Sequence, residues 1–267
     1  MNKFLYLLFI VLSINLYAYN DSDMDGVEDQ FDQCTNTPFT ELVNKYGCTQ
    51  KSPHLFNILF GLSSSNTNYD NSEKTDTITK SVQVNYQYND LSIHANTSYF
   101  DSKSDTYDES GMNDTFVGLN YKINSTDTLA TTVGFGVILS TYDSTLNNNN
   151  MDYTLSAGLN YLLTNGNLFG GYSYTIINDD DVVNTASYQN TNSYNIGVGH
   201  NISKKIYLSG SYNQSNSVYT GVKDIKTVSL FGVYSIDTKW FTNFTYTHGI
   251  SDTASDKYIT LRIGYNF

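Results

Sequence analysis

Acidic side chains recur near the start of the chain at a spacing that suits a hard metal ion. They occupy positions 1, 3, 5, 9 and 12 of one short loop: Asp21, Asp23, Asp25, Asp29 and Asp32. Calcium takes about six to eight oxygen ligands, and alternate side chains of a tightly turned loop can converge on it. Gly26 would allow the sharp turn at position six, and the carbonyl of Val27 would supply a backbone ligand. The spacing therefore predicts a calcium site, since so many carboxylates would otherwise repel one another.

A plain solvated acidic leader is the alternative reading of these residues. The loop also departs from the EF-hand pattern in two respects. Its twelfth position is Asp32 instead of a bidentate Glu, and no amphipathic helices flank it. A different calcium-binding unit is therefore expected.

The following residues carry a resemblance to a known repeat. The stretches Asp32-Gln-Cys34-Thr-Asn-Thr-Pro38 and Tyr46-Gly47-Cys48 complete a segment that resembles the thrombospondin type 3 repeat of OmpA-like outer-membrane proteins. The resemblance covers residues 21–48, and Met24 stands where the repeat usually has a small or polar residue. It implies that the five aspartates bind Ca²⁺ and that Cys34 pairs with Cys48. No peptidoglycan-binding domain is recognised, so the resemblance implies no cell-wall anchor.

The two cysteines indicate a disulfide independently of this resemblance. Thirteen residues separate them, and two cysteines in an exported chain indicate one disulfide, with two free thiols as the alternative. Closing a loop of this size stabilises the fold by roughly 3 kcal/mol in the chain-entropy model. A segment this short buries little apolar surface, so metal and disulfide would have to hold it.

Residues 1–18 are interpreted as a secretory signal peptide. Lys3 gives a positive start, residues 4–16 form an apolar run, and Ala18 offers a cleavage position. An uncleaved anchor helix is the alternative, although the run is shorter than the roughly 20 residues that span a bilayer. We therefore expect residues 19–52 to form the calcium-binding segment and residues 53–267 to form the main domain.

The composition excludes one class of partner and favours strands. Charged residues make up 15% of the chain, below the roughly 25% of soluble domains, and the formal net charge is −12. Arg262 is the only arginine. Nucleic-acid binding is not expected, because it needs clustered Lys and Arg. Tyr, Asn, Ser, Thr and Gly favour pleated strands and polar loops.

From residue 53 onward apolar residues alternate with polar ones, as Phe56, Ile58, Phe60 and Leu62 illustrate. This period marks strands with one apolar face, and about twelve such strands can be counted. Short turns are expected near 89–90, 124–127, 164–167, 203–205 and 237–239. Longer loops are expected near 64–77, 101–114, 140–151, 178–190, 215–224 and 251–256. Alternating short and long links predict an all-β fold. They favour an antiparallel transmembrane β-barrel over a soluble β-sandwich.

Aromatic residues on the apolar face support this interpretation. They fall into two sets at strand ends: Tyr88, Tyr121, Tyr161, Tyr234, Trp240 and Tyr265 near the short turns, and Tyr99, Tyr153, Tyr174, Tyr194 and Tyr246 near the long loops. Such girdles mark the two lipid–water boundaries. The alternation that ends on Phe267 resembles the signal read by the outer-membrane assembly machinery of Gram-negative bacteria. We therefore expect the protein to lie in the outer membrane, in contact with lipid and lipopolysaccharide. Residues 19–52 are expected to lie in the periplasm.

The opposite, polar face should line the lumen. It carries Asn, Gln, Ser and Thr, and the residues expected to bring charge there are His94, Lys122, Asp152 and Arg262. Twelve strands enclose more space than side chains fill in an eight-stranded barrel, so a narrow water path is expected. The alternative is a lumen plugged by its own hydrogen-bonded side chains or by the N-terminal segment.

The four histidines do not predict catalysis. None has a Ser two residues later on its strand, and no Asp precedes any of them. We therefore expect no enzyme. Two functions remain: a narrow porin-like channel for ions or small polar solutes, or a non-conducting structural or adhesive protein. The acidic loops, such as residues 179–181, would favour cations at the mouth or bind divalent ions that bridge lipopolysaccharide. The alternative is that they are solvated tips that keep the strand ends soluble.

Overall fold

The computed structural model describes residues 21–23, 26–34, 37, 43, 46–48, 54–67, 74–106, 108–143, 149–182 and 187–267. The predicted signal peptide lies outside these residues, and so does Asp25. The chain divides into two compact units, 1–52 and 53–267. Within the described residues no helix is long and apolar enough to cross a membrane.

The second unit consists of antiparallel strands. Their bounds are β1 His54–Thr67, β2 Thr75–Tyr88, β3 Leu91–Lys103, β4 Asp108–Met112, β5 Thr115–Asn124, β6 Leu129–Leu139, β7 Asp152–Leu163, β8 Gly166–Ile176, β9 Thr191–Ser203, β10 Ile206–Ser215, β11 Ile225–Ser235, β12 Trp240–Gly249 and β13 Lys257–Asn266. Consecutive strands pair with one another, except that β5 pairs with β3 instead of β4, and β1 pairs with both β2 and β13. The sheet thereby closes on itself, which removes the free edges of an open sheet.

The closed sheet is a twelve-stranded barrel, which confirms the predicted fold class. The short strand β4 is an addition within the predicted loop 101–114. It pairs with residues 99–103 at the end of β3, while β5 pairs with residues 91–96 of the same strand. Strands β4 and β5 therefore occupy one position in the barrel wall.

The links agree with the predicted alternation of short turns and long loops, with small shifts. Strands β1 and β2 extend to Thr67 and back to Thr75, so the first long loop is shorter than the predicted 64–77. The turn near 164–167 closes earlier, because β8 begins at Gly166. We call the end of the barrel that carries the short turns the turn end, and the opposite end the loop end.

Alternation assigns the side chains to two faces. The outward face carries large apolar residues that are well exposed, among them Leu62, Leu159, Ile196 and Leu261. Fully buried apolar side chains are scarce, since only Leu59 and Ala254 qualify among the described residues. A soluble protein of this size would bury its apolar residues in a core, whereas a barrel in lipid turns them outward.

Aromatic side chains collect near both ends of the outward face, at the positions predicted for the two girdles. At the turn end, the rings of Trp240 and Tyr265 lie 4.8 Å apart in an edge-on arrangement. Lys239 lies 5.7 Å from the centre of the Tyr265 ring. Amphipathic rings at these heights suit the boundary between lipid and water.

Candidate functional site

The lumen wall is lined with short polar side chains that bond to one another. Opposed hydroxyl and amide groups form cross-strand pairs: Ser63–Thr260 at 2.9 Å, Asn57–Asn85 at 2.6 Å, Ser173–Ser193 at 2.7 Å and Ser229–Thr247 at 2.9 Å. The paired residues lie on adjacent strands. These hydrogen bonds therefore run along the wall and leave the axis of the barrel unspanned.

One hydrogen bond reaches farther along the wall. The Tyr207 hydroxyl on β10 donates to the side-chain Oδ1 of Asn167 on β8 at 2.9 Å, and the strand between them is β9. Gly199 of β9 lies beneath this contact, and a Cβ at that position would collide with both side chains. A glycine on the intervening strand thus lets the tyrosine lie close to the wall.

Large aromatic side chains in the lumen also lie over glycines. A Cβ at Gly136 would collide with the Phe116 ring, and one at Gly264 would collide with the Phe241 ring. Phe241 and Gly264 are direct cross-strand partners. At these two positions the rings therefore cover neighbouring backbone.

These lumen aromatics were not predicted as functional residues. A sequence signal for three of them exists, because Phe116, Phe169 and Phe241 each have a glycine at a neighbouring polar-face position. Phe169 and Gly197, for example, are cross-strand partners. The signal becomes visible only when the register between strands is known.

The four residues predicted to bring charge into the lumen differ in their surroundings. His94 contacts Asn120, at 3.2 Å, and the Phe116 ring, at 5.1 Å between ring centres. Neither neighbour is an acid or a nucleophile. Lys122 is exposed on the inward face of β5.

Arg262 and Asp152 also have different surroundings. The Arg262 side chain lies over Gly61, its cross-strand partner. In the described part of the chain no carboxylate lies within 4.0 Å of the Arg262 guanidinium. Asp152 is 8% exposed, and its carboxylate accepts the Asn178 backbone N–H at 2.7 Å. Asp152 therefore anchors a loop at the mouth, and Lys122 and Arg262 remain as wall charges.

The long loops bond to their neighbours around the rim. The Tyr142 hydroxyl donates to the Glu109 carboxylate at 2.6 Å. This bond, with smaller contributions from burial and from nearby negative charge, raises the pKa of Tyr142 to about 12. The Gln189 amide donates to the carbonyl oxygens of Ser217 and Tyr219 at 3.0 and 3.1 Å. In the described residues these contacts follow the rim from loop to loop.

A cavity of about 580 Å³ opens among the loops 216–224 and 250–256 at the rim. Its lining is Ser217, Val218, Tyr219, Val222, Lys223, Ile225, Asp252 and Thr253. The Lys223 ammonium and the Asp252 carboxylate lie 3.6 Å apart, and both side chains are well exposed. The cavity is a recess of the outer mouth.

The predicted calcium ligands lie in the first unit, and all of them except Asp25 are among the described residues. The carboxylate of Asp21 accepts the Gly26 backbone N–H at 3.0 Å, and Gly26 has a φ of 95°, as a sharp turn requires. Asp29 accepts both the backbone N–H and the hydroxyl of Ser22, at 2.6 and 2.7 Å. The segment is thus a tightly turned loop held by its own carboxylates.

A disulfide joins Cys34 and Cys48, whose Cα atoms are 4.9 Å apart. Between them the Thr37 hydroxyl bonds to the Cys34 and Gly47 carbonyl oxygens. The Thr37 N–H donates to Asp23 Oδ2 at 2.6 Å, which ties the cross-linked part to the acidic loop.

Among the described residues, two carboxylate oxygens of the acidic loop are buried without a hydrogen-bond partner. They are Asp23 Oδ1 and Asp32 Oδ2. A buried carboxylate oxygen is costly unless a hydrogen bond or a cation satisfies it. The described residues contain no group of three or more His, Cys, Asp or Glu side chains close enough to hold a metal. The donor chemistry fits Ca²⁺ at two oxygens, and Asp25, outside the described residues, would be the next ligand along the loop.

Sequence comparison gives no relative: no protein-family model and no curated protein matches the chain. Structural comparison finds proteins of similar fold. An outer-membrane channel from Pseudomonas putida F1 matches with a TM-score of 0.65 and 10% identity, over 80% of this chain and 95% of that chain. The NanC porin matches with a TM-score of 0.54 and 14% identity, over 79% and 98%.

The translocator domain of the autotransporter NalP from Neisseria meningitidis has the same architecture. It matches with a TM-score of 0.52 and 10% identity, over 82% of this chain and 90% of that chain. At such identities the likeness concerns the fold. The chain therefore has the fold of outer-membrane β-barrels, among which are channels and a translocator.

Proposed function

We propose that this protein is an outer-membrane, porin-like channel for ions or small polar solutes. The observation that carries the proposal is the arrangement of the lumen wall. Hydrogen bonds run along the wall and rings lie over glycines. Side chains held against the wall in this way would leave room for water along the axis. A lumen plugged by its own side chains would instead need hydrogen bonds across the barrel.

The outward face supports the membrane location. Exposed apolar residues fill the middle of this face, and aromatic residues lie at both ends. The likeness in fold to an outer-membrane channel and to a porin agrees with this assignment. With an even number of barrel strands, both ends of the barrel segment lie at the turn end, which faces the periplasm in bacterial barrels.

The wall favours small, weakly charged solutes. Its side chains are mostly neutral amides and hydroxyls, and its described free charges are the cations Lys122 and Arg262. The loops at the mouth are acidic, as Asp179 and Asp180 illustrate. A negative mouth and a weakly positive wall oppose one another, so we expect little discrimination between anions and cations.

Liposome swelling tests this function. Refolded protein in liposomes should admit small uncharged sugars at rates that fall with solute size, while protein-free liposomes stay closed. Heat-modifiable migration on a gel shows independently that the barrel has inserted. A barrel that inserts and admits no solute would reject the channel and favour the non-conducting structural or adhesive alternative.

We further propose that residues 21–48 form a periplasmic calcium-binding segment of the thrombospondin type 3 kind. The two buried, unpartnered carboxylate oxygens of Asp23 and Asp32 favour this second function. Calcium would satisfy both oxygens and offset the repulsion between neighbouring carboxylates. Binding would thereby stabilise a segment whose other main constraint is the Cys34–Cys48 disulfide.

Protease mapping of the full-length protein with and without a chelator tests the calcium proposal. Chelation should expose residues 21–48 to cleavage and should leave the barrel heat-modifiable. Equal cleavage of this segment in calcium and in chelator would reject the proposal without touching the channel assignment.

A further inference from the structure

Three basic side chains meet on the outward face of the barrel at its loop end. Lys226 lies on β11, His248 on β12 and Lys257 on β13. His248 is the direct cross-strand partner of both Lys257 and Val228, and Lys226 lies two residues from Val228 on the same face. Directly opposed Cβ atoms are about 5 Å apart, and diagonal ones about 7–8 Å. We call these three residues the outer cationic cluster.

The height of the cluster follows from the register. Tyr246, a residue of the loop-end girdle, pairs with Leu230 and Ile259. His248 and Lys257 lie two residues beyond this level toward the loops, which corresponds to about 7 Å. The cluster therefore lies just outside the apolar band, at the level of lipid headgroups.

In the described part of the chain the two lysines of the cluster have no acidic partner. Among the described residues, no carboxylate lies within 4.0 Å of either ammonium group. Two nearby acidic residues are otherwise engaged: Asp252 pairs with Lys223 at 3.6 Å, and Asp224 accepts the Gln214 amide at 2.7 Å. In a chain of net charge −12, this is a concentrated positive spot without a counter-ion among the described residues.

Charged side chains on the lipid face of a barrel are costly at mid-membrane and cost little near the interfaces. Lysines there extend their ammonium groups toward the headgroups. The His248 ring is held in place, because its Nδ1 lies 2.9 Å from the Asp256 carbonyl oxygen, which can only accept. The cluster is thus placed to meet an anion from outside the barrel.

We propose that the outer cationic cluster binds a phosphate group of lipopolysaccharide in the outer leaflet. This inference rests on the outer-membrane location proposed above. Lysines are common phosphate ligands, and charge-assisted hydrogen bonds to phosphate are strong. Leu230 and Ile259, both exposed directly below the cluster, give the acyl chains an apolar surface continuous with the phosphate site. Inorganic phosphate alone would leave that surface unused.

Native mass spectrometry of the refolded, full-length barrel with added lipid A tests the proposal. The protein should retain phosphorylated lipid A and should not retain the dephosphorylated form. The double variant Lys226→Gln/Lys257→Gln should bind phosphorylated lipid A at least about tenfold more weakly, because it removes two charged hydrogen-bond donors to the phosphate.

Lys80→Gln is the matched control. Lys80 also lies on the outward face, but on β2, between Leu62 and Tyr99 and outside the cluster. Its variant should bind lipid A as the unmodified protein does. Full binding by the double variant, equal binding of dephosphorylated lipid A, or displacement by equimolar inorganic phosphate would each overturn the proposal.

Heat-modifiable migration and liposome swelling of the same samples separate this inference from the channel assignment. A barrel that binds lipid A and admits no solute rejects the channel alone. A barrel that admits solutes and ignores lipid A rejects the phosphate site alone. A sample that does not migrate as a folded barrel is excluded from both comparisons.

Discussion

At the residue scale, glycines in the lumen decide where large side chains lie. A ring can lie flat on the wall only where the neighbouring strand has no Cβ, as at Gly136 beneath Phe116 and Gly264 beneath Phe241. The width of the water path is therefore set partly by residues that carry no side chain. This role follows from close approach of a ring to the backbone.

Adding a methyl group at these glycines should narrow the channel. In Gly136→Ala and Gly264→Ala, the new Cβ would displace the Phe116 and Phe241 rings toward the axis, since those rings are the near contacts. Single-channel conductance should fall in both variants. Gly158→Ala is the control, because a Cβ there meets only the Gly170 carbonyl oxygen at 3.7 Å. Equal conductance in all three variants would show that the rings do not border the path.

A second residue-scale prediction concerns the turn before β12. Asp237 Oδ1 accepts the backbone N–H groups of Lys239 and Trp240, both at 2.7 Å. The Trp240 N–H bond, followed by that of Lys239, lowers the pKa of Asp237 below its usual 3.8. Because the pKa is lowered in the folded protein, the two bonds stabilise the turn fully at pH values above the ordinary pKa. This stabilisation is lost as the pH falls through the lowered pKa.

The Trp240 amide resonance reports on this titration. In the unmodified protein its NMR shift should titrate at a pH below 3.8, and in Asp237→Asn this titration should be absent. A midpoint at or above 3.8, or an unchanged titration in the variant, would contradict the assignment of these bonds.

At the element scale, alternation along each strand separates a lipid face from a lumen face. Leu159 and Asn160 are consecutive in β7, yet Leu159 is 56% exposed on the outward face and Asn160 accepts the Asn167 amide in the lumen. The same substitution at the two positions should therefore have different effects.

Leu159→Arg should destabilise the barrel by about 2–4 kcal/mol, because it places a charge in the apolar middle of the membrane. Asn160→Arg should cost about 1 kcal/mol, the contribution of one hydrogen bond. Urea unfolding in lipid vesicles measures both. A larger loss for Asn160→Arg would mean that the two faces have been exchanged.

The acidic segment gives another element-scale prediction. Asp23→Asn/Asp32→Asn should weaken calcium binding by about tenfold or more, since each substitution removes a charged ligand. Glu28→Gln is the control, because its side chain contacts Gln30 and lies outside the ligand pattern. Isothermal titration of the full-length protein distinguishes them, and unchanged affinity in the double variant would exclude Asp23 and Asp32 as ligands.

Much of the element pattern could be predicted from sequence, and its omissions have physical causes. Period-two alternation identified the strands of the wall because each strand faces lipid on one side and polar lumen on the other. Strand β4 was missed because Asp108–Met112 lies beyond the apolar band, where its sequence needs no apolar face. Strand β1 continues beyond Ser64, and β2 begins before Thr77. These added residues are polar because they too lie beyond the apolar band.

The candidate site was less predictable than the fold. Alternation assigned His94, Lys122 and Arg262 to the inward face, but the engagement of Asp152 with a loop N–H depends on tertiary contacts. The rings over glycines depend on register between strands. The predicted roles of Phe267 in assembly and of the aspartates in calcium binding stay predictions.

At the scale of the whole molecule, charge is divided by position. The loops are acidic, the lumen wall carries the cations Lys122 and Arg262, and a basic cluster lies outside near the loop end. The wall itself is neutral and polar over most of its surface. This distribution suits a path for small polar solutes, and it gives the outer rim a separate contact with anionic lipid.

Single-channel conductance of the refolded protein in a planar bilayer, at two salt concentrations, tests the central claim most directly. We predict discrete current steps whose size rises with salt, as ions pass through a water-filled lumen, with little preference between anions and cations. A barrel that inserts, as shown by heat-modifiable migration, and yet produces no current steps at either salt concentration would contradict the account.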